Sequence, residues 1–83
     1  MPNRVRVLAF AGARDILGAG EMLVDLEEPC TAEQLLGRMC NDFPALAPYR
    51  RSIRVAINGA YAKSEEMIAA GDEVALIPPV AGG

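Results

Sequence analysis

Thr31-Ala32-Glu33-Gln34-Leu35-Leu36-Gly37-Arg38-Met39-Cys40-Asn41-Asp42-Phe43-Pro44 is the stretch that decides the fold of this 83-residue chain. Leu35, Leu36, Met39, Cys40 and Phe43 recur at helical spacing and make one apolar face. Thr31 stands where a helix N-cap belongs. Gln34 falls at the third helical position, which completes a capping box. Glu33 adds negative charge to the first turn, where the helix dipole favours it. Pro44 ends the helix, because the residue before a proline is pushed out of the α region. Gly37 costs about 1 kcal/mol relative to alanine in such a helix, so it is a candidate for close packing of the helix on a sheet.

The sequence on both sides of this helix reads as strands. From Arg4 to Phe10, Val5, Val7 and Ala9 fall on one side and Arg4, Arg6, Leu8 and Phe10 on the other. A loop over Ala11 to Gly18, with one helical turn at Arg14-Asp15-Ile16-Leu17, is punctuated by Gly18 and Gly20. Glu21 to Leu26 alternates again, with Met22, Val24 and Leu26 facing in, so the first two strands form an antiparallel hairpin. After the helix, Ala45 to Ser52 reads as an irregular connection. Ile53 to Ile57 is a third strand, and Asn58-Gly59 is a strong two-residue hairpin signal leading into Ala60 to Ala62. Ser64 to Ala70 reads as a brief helical turn. Gly71-Asp72 then turns the chain into Glu73 to Ile77, and Pro78-Pro79 ends that strand by removing ladder donors. The order is ββαβ(β)β. One helix crosses between two strand groups, so the first and last strands pair in parallel. The expectation is an α+β fold of the β-grasp type, with a mixed sheet of four to five strands packed on one main helix. Residues 1–77 form the domain and residues 78–83 an extended tail.

Composition narrows the function. Apolar residues make up 52% of the chain, but Phe10, Phe43, Tyr49 and Tyr61 are its only aromatics, so the core is aliphatic. Net charge is −3 with no basic run. A nucleic-acid partner is not expected, because phosphate neutralisation needs a dense cationic face. No apolar stretch approaches the roughly 20 residues that cross a bilayer, so no membrane partner is expected. The chain opens directly on strand-like sequence with no signal peptide, and its two cysteines make no disulfide framework; both point to a reduced, cytoplasmic setting. Histidine is absent, which removes the commonest general base and the commonest zinc ligand.

A single helix covers a single sheet face. Val5, Val7, Ile53, Val55, Ile57, Val74 and Leu76 have the bulk to pack on it. The opposite face then carries Leu8, Phe10, Ala56, Ala75, Ile77 and Tyr61, an apolar patch of the kind that marks a docking surface. The carboxylate pairs Asp72-Glu73 and Glu65-Glu66 have no base partner and read as solvated side chains. Cys40 lies on the apolar helix face and reads as core. Cys30, just before the helix, reads as a small hydrophobe, the alternative being a thiol whose pKa the helix N-terminus lowers. No phosphate loop, metal cluster or nucleophilic triad is present, and no metal ligand is assigned.

The last residues, Pro78-Pro79-Val80-Ala81-Gly82-Gly83, are different. Gly-Gly leaves a carboxylate on the slimmest backbone available. By chance it would end about one chain in 200. Six residues in extended or polyproline form reach roughly 20 Å, with Pro78-Pro79 stiffening the base. Such an arm fits into another protein's active site. Its carboxylate would need activation, such as adenylation with ATP, before sulfur could replace an oxygen. Ile77 lies on the apolar face immediately before the arm, so docking there would also aim it.

These residues resemble a known family, the MoaD family of ubiquitin-like sulfur carriers that form the small subunit of molybdopterin synthase. The resemblance runs through Phe10-Ala11, Arg14-Asp15-Ile16-Leu17-Gly18, Thr31-Ala32-Glu33-Gln34-Leu35, Ala56-Ile57-Asn58-Gly59, Gly71-Asp72-Glu73-Val74 and the Pro-Pro-Val-Ala-Gly-Gly end. It implies a β-grasp fold and a Gly83 thiocarboxylate made through an acyl-adenylate. It implies two partners: a ubiquitin-activating-like adenylyltransferase that uses ATP, and the large synthase subunit in a heterotetramer. Sulfur would go to cyclic pyranopterin monophosphate. Leu8, Phe10, Tyr61 and Ile77 would dock the partner, and Pro78, Pro79, Val80, Ala81 and Gly82 would thread the tail. No permanently bound cofactor is implied. Carriers of the same fold for cysteine synthesis, thiamine synthesis or tRNA thiolation are the close alternative; those for cysteine synthesis can also end in Val-Ala-Gly-Gly, whereas the thiazole carriers are generally shorter and lack the Pro-Pro. A ubiquitin-like modifier attached through the same glycine, or a passive interaction module with an incidental Gly-Gly, is a further alternative.

Overall fold

The computed structural model describes residues 3–78. Seven strands and two α-helices follow in the order β1 (Asn3–Ala9), α1 (Ala11–Leu17), β2 (Glu21–Leu26), β3 (Cys30–Thr31), α2 (Ala32–Asp42), β4 (Arg54–Ile57), β5 (Ala60–Tyr61), β6 (Met67–Ile68) and β7 (Glu73–Ile77), with a 3-10 helix at Pro44–Tyr49 before β4. Five strands form one mixed sheet in the order β2-β1-β7-β4-β5. β1 and β7 run parallel at its centre, with Val7 opposite Val74 and Ala9 opposite Leu76. β2 adds antiparallel to β1, and β4 adds antiparallel to β7. This is the β-grasp arrangement read from the order of elements, with five strands in the main sheet.

The helix that organises the fold has the ends its sequence specifies. Thr31 Oγ1 accepts a hydrogen bond from Gln34 N at 3.1 Å. Gln34 Oε1 accepts one from Thr31 N at 2.8 Å, so both halves of the capping box are made. Leu35, Leu36, Met39 and Cys40 are buried, and Phe43 is partly buried against the core. They meet Val5, Val7, Val24, Leu26, Val55, Val74 and Leu76 from the inner sheet face, all buried. Removing this aliphatic surface from water is the main stabilising term available to so small a chain.

Several local expectations are corrected. The loop after β1 is a helix over all of Ala11–Leu17, ended by Gly18 in the left-handed region, whose N–H donates to Arg14 O. The connection after α2 is the 3-10 helix, which places Leu46 in the core with no exposed surface. Ser64 to Ala70 is not a helical turn. Met67–Ile68 pairs with Cys30–Thr31 in a separate two-stranded sheet, and Ile68 is fully buried. Two residues are too short a run for alternation to reveal, so side-chain pattern alone could not identify this sheet. Gly37 does not mark contact with the main sheet. A Cβ there would meet the Arg50 guanidinium, 3.0 Å from Nη2. The strand after Asn58-Gly59 spans Ala60–Tyr61.

Candidate functional site

The site is built on the sheet face away from α2, at the end where β1 and β7 finish. Strand alternation sends Val74 and Leu76 inward and Ala75 and Ile77 outward. Register then brings neighbours together. Leu8 lies opposite Ala75, and Ala75 lies opposite Ala56, which in turn lies opposite Tyr61. With Phe10 and Ile77 these side chains line a shallow groove of about 300 Å³. Phe10 is 48% exposed and Tyr61 66%, whereas Leu8, Ala75 and Ile77 are half-buried. Ala56 is buried and forms part of the floor rather than an open contact. The structure thus gathers the four docking residues expected from the sequence, Leu8, Phe10, Tyr61 and Ile77, on one surface.

Two residues of the groove escaped the sequence reading. Gly59 comes from the β4–β5 turn and Glu73 from the start of β7. Register, which composition does not reveal, puts them there. The turn itself follows its sequence: Asn58 and Gly59 have φ of 50° and 86°, the left-handed pair that a two-residue hairpin requires. The Arg54 guanidinium lies 5.5 Å from the centre of the Tyr61 ring and steadies that exposed aromatic by a cation–π contact.

Three of the four carboxylates, Asp72, Glu73 and Glu66, make contacts within the fold. Asp72 Oδ2 accepts from Ala69 N at 2.9 Å, and its Oδ1 accepts from Asn58 Nδ2 at 3.1 Å. Asn58 Oδ1 accepts from Glu73 N at 3.0 Å, while the Glu73 carboxylate pairs with Arg6 at 3.1 Å. Glu66 accepts from Lys63 N within its own turn. Cys40 is buried in the core. Cys30 is half-buried, and burial pushes its thiol above the ordinary value, with Arg38 opposing. The alternative of a thiol activated by the helix N-terminus is therefore corrected. The α2 N-terminal amides are already engaged, and desolvation outweighs the one nearby cation. Among the described residues no group of three or more metal-ligating side chains gathers, and no helix is long and apolar enough to cross a membrane.

Pro78, half-buried, directly follows β7. Pro79, Val80, Ala81, Gly82 and Gly83, the expected threading residues and reactive end, lie outside the described residues.

Comparison with known proteins agrees with this fold. A molybdopterin synthase sulfur carrier subunit from Chlamydomonas reinhardtii is 34% identical over 82 residues, covering 96% of this chain and 99% of the relative. The crystal structure of SAMP1, a small archaeal modifier protein from Haloferax volcanii, superposes with a TM-score of 0.79 at 32% identity, covering 96% of this chain and 99% of that one. A putative molybdopterin converting factor subunit 1 from Pyrococcus furiosus superposes with a TM-score of 0.82 at 26% identity, covering 93% and 98%. The ThiS family model matches residues 7–83, from the middle of β1 through the Gly-Gly end, and the chain is a member of the ThiS family.

Proposed function

We propose that this protein is the sulfur-carrier small subunit of a molybdopterin synthase, and that its chemistry is performed on the α-carboxylate of Gly83. The observation that carries this reading is the apolar groove at the end of the sheet, which includes Ile77, the last strand residue before the tail. A partner seated on Leu8, Phe10, Tyr61 and Ile77 receives the following residues from a fixed point. The sequence relatives named as sulfur carrier subunits support the same assignment.

The steps follow from the chemistry of a carboxylate. It is a poor electrophile, so a ubiquitin-activating-like adenylyltransferase joins it to AMP, with pyrophosphate leaving ATP. A sulfur nucleophile then displaces AMP and leaves a thiocarboxylate. Pro78, Pro79, Val80, Ala81 and Gly82 thread this end into the active site of the large synthase subunit, in a heterotetramer. There the sulfur passes to cyclic pyranopterin monophosphate. The small chain needs no bound cofactor of its own, and the reactions belong to the cytoplasm.

The test is reconstitution. After incubation with ATP, an activating enzyme and a sulfur source, mass spectrometry should find one oxygen of Gly83 replaced by sulfur. The thiolated protein should convert the pterin precursor with a synthase large subunit, and deletion of Gly83 should abolish both steps. A thiolated protein that feeds a cysteine synthase but no synthase large subunit would overturn the acceptor assignment. The likeness to a small archaeal modifier protein favours one second reading, attachment of Gly83 to lysines of other proteins. Isopeptide-linked Gly83 in cell extracts is its signature.

A further inference from the structure

The cleft between α2 and β4 lies beside the docking groove, and of its lining residues only Tyr61 enters the proposal above. It encloses about 600 Å³. Three of the chain's eight basic residues, Arg50, Arg51 and Arg54, border it. Glu33 is the sole acidic side chain in its lining, which leaves a local surplus of positive charge in a chain of net charge −3. The floor is apolar: Leu36, Ile53 and Val55, with half-buried Ala62 beside them.

The three arginines differ in what they already touch. Arg50 rests against Gly37, where a side chain would crowd it, and reaches Glu33 at only 3.9 Å. Arg54 is steadied over Tyr61. Arg51 is exposed and has no ion-pair partner among the described residues. Three such guanidiniums around an apolar floor match carboxylates flanking an apolar side chain.

A compact phosphate is a poorer fit. Phosphates at helix N-termini are held by free backbone amides. Here α2 opens on the cleft, but its first amides are occupied. Ala32 N donates to Glu66 O at 2.8 Å, Glu33 N to Ser64 O at 3.0 Å, and Gln34 N to Thr31 Oγ1 at 3.1 Å.

We propose that this arginine-bordered cleft receives an acidic segment of a partner protein, with an apolar residue of that segment on the Ile53–Val55–Ala62 floor and its carboxylates on Arg51 and Arg54. Tyr61 lines both the cleft and the docking groove, so the two surfaces adjoin.

The test uses the full 15N-labelled chain and an acetylated, amidated heptapeptide with a central leucine flanked on each side by three glutamates. Amide shifts should concentrate at residues 50–55 and 61–64 and in the first turn of α2. Arg51→Glu should weaken binding about tenfold, the loss of one charge-assisted contact. Arg14→Glu, the same charge change on α1, should leave affinity within about twofold. A glutamine version of the peptide should not bind. No perturbation at the cleft, equal perturbation around Arg4 and Arg6, or an unchanged affinity in Arg51→Glu overturns the proposal. Stronger occupation by inorganic pyrophosphate than by the peptide overturns it in favour of a phosphate ligand. The readout needs neither Gly83 nor a synthase, so failure here leaves the sulfur-carrier reading standing.

Discussion

The two halves of the outer sheet face handle the same problem, a sheet surface without a helix over it, in opposite ways. Toward the start of β1 and β7 the face is a ladder of ion pairs. Arg4 meets Asp25 at 2.8 Å, and Arg6 meets Glu21 at 2.9 Å and Glu73 at 3.1 Å. Toward the ends of the same strands it is apolar, with Leu8, Phe10, Ala75 and Ile77 and no ladder. Water satisfies the first half. The second half keeps Phe10 and Tyr61 about half or more exposed, at the end from which the chain continues to its terminus. Adjacent residues on one strand therefore face different surroundings: Leu76 is buried in the core, and Ile77 lines the outer groove.

The largest expected effect tests that division within β7. Leu76 is fully buried, so Leu76→Ala should lower unfolding stability by about 2–5 kcal/mol in a urea titration. Ile77→Ala, one residue on and half-buried, should cost about 1 kcal/mol. Equal losses would erase the distinction. Next comes the contrast between the halves themselves. Phe10→Ala or Tyr61→Ala should weaken binding to a synthase large subunit by about 2 kcal/mol, roughly 30-fold in Kd by calorimetry. Arg4→Ala should change it less than about threefold. The reverse order would move the docking surface to the charged half. The smallest effect lies in the ladder. Arg6→Ala removes two solvent-exposed pairs and should cost at most about 1 kcal/mol at low salt. In 1 M salt, where the screening length is roughly 3 Å, the difference from the unaltered protein should shrink toward zero.

Much of this was legible in the residues themselves. Thr31 and Gln34 declare the start of α2 by chemistry that acts within four residues, and Asn58-Gly59 declares a turn in the same local way. Alternation in β1 and β7 separates Val5 and Val74 from Leu8 and Ile77 before any partner strand is known. What escaped depends on distant parts of the chain. β3 and β6 exist because Cys30–Thr31 meets Met67–Ile68, and neither pair of residues carries a periodic signal. Leu46 reaches the core through a 3-10 helix containing Pro48, and prolines on both sides of it suggested a loop. Arg50 and Arg51 are adjacent in the sequence, but their cleft forms only when the fold brings Arg54 and Tyr61 beside them.

Asn58 has a consequence beyond its turn. Its side chain joins the β4–β5 hairpin to the first residues of β7, accepting from Glu73 N and donating to Asp72. That clasp is a zero mark. A one-residue slip of β7 would exchange Leu76 and Ile77 between the two faces. It would also move Pro78 by about 3.3 Å along the strand direction. The register of β7 is thus tied to a hydrogen-bonded asparagine 15 residues before Glu73, and an insertion or deletion between Glu73 and Ile77 would shift Ile77 relative to the groove it lines.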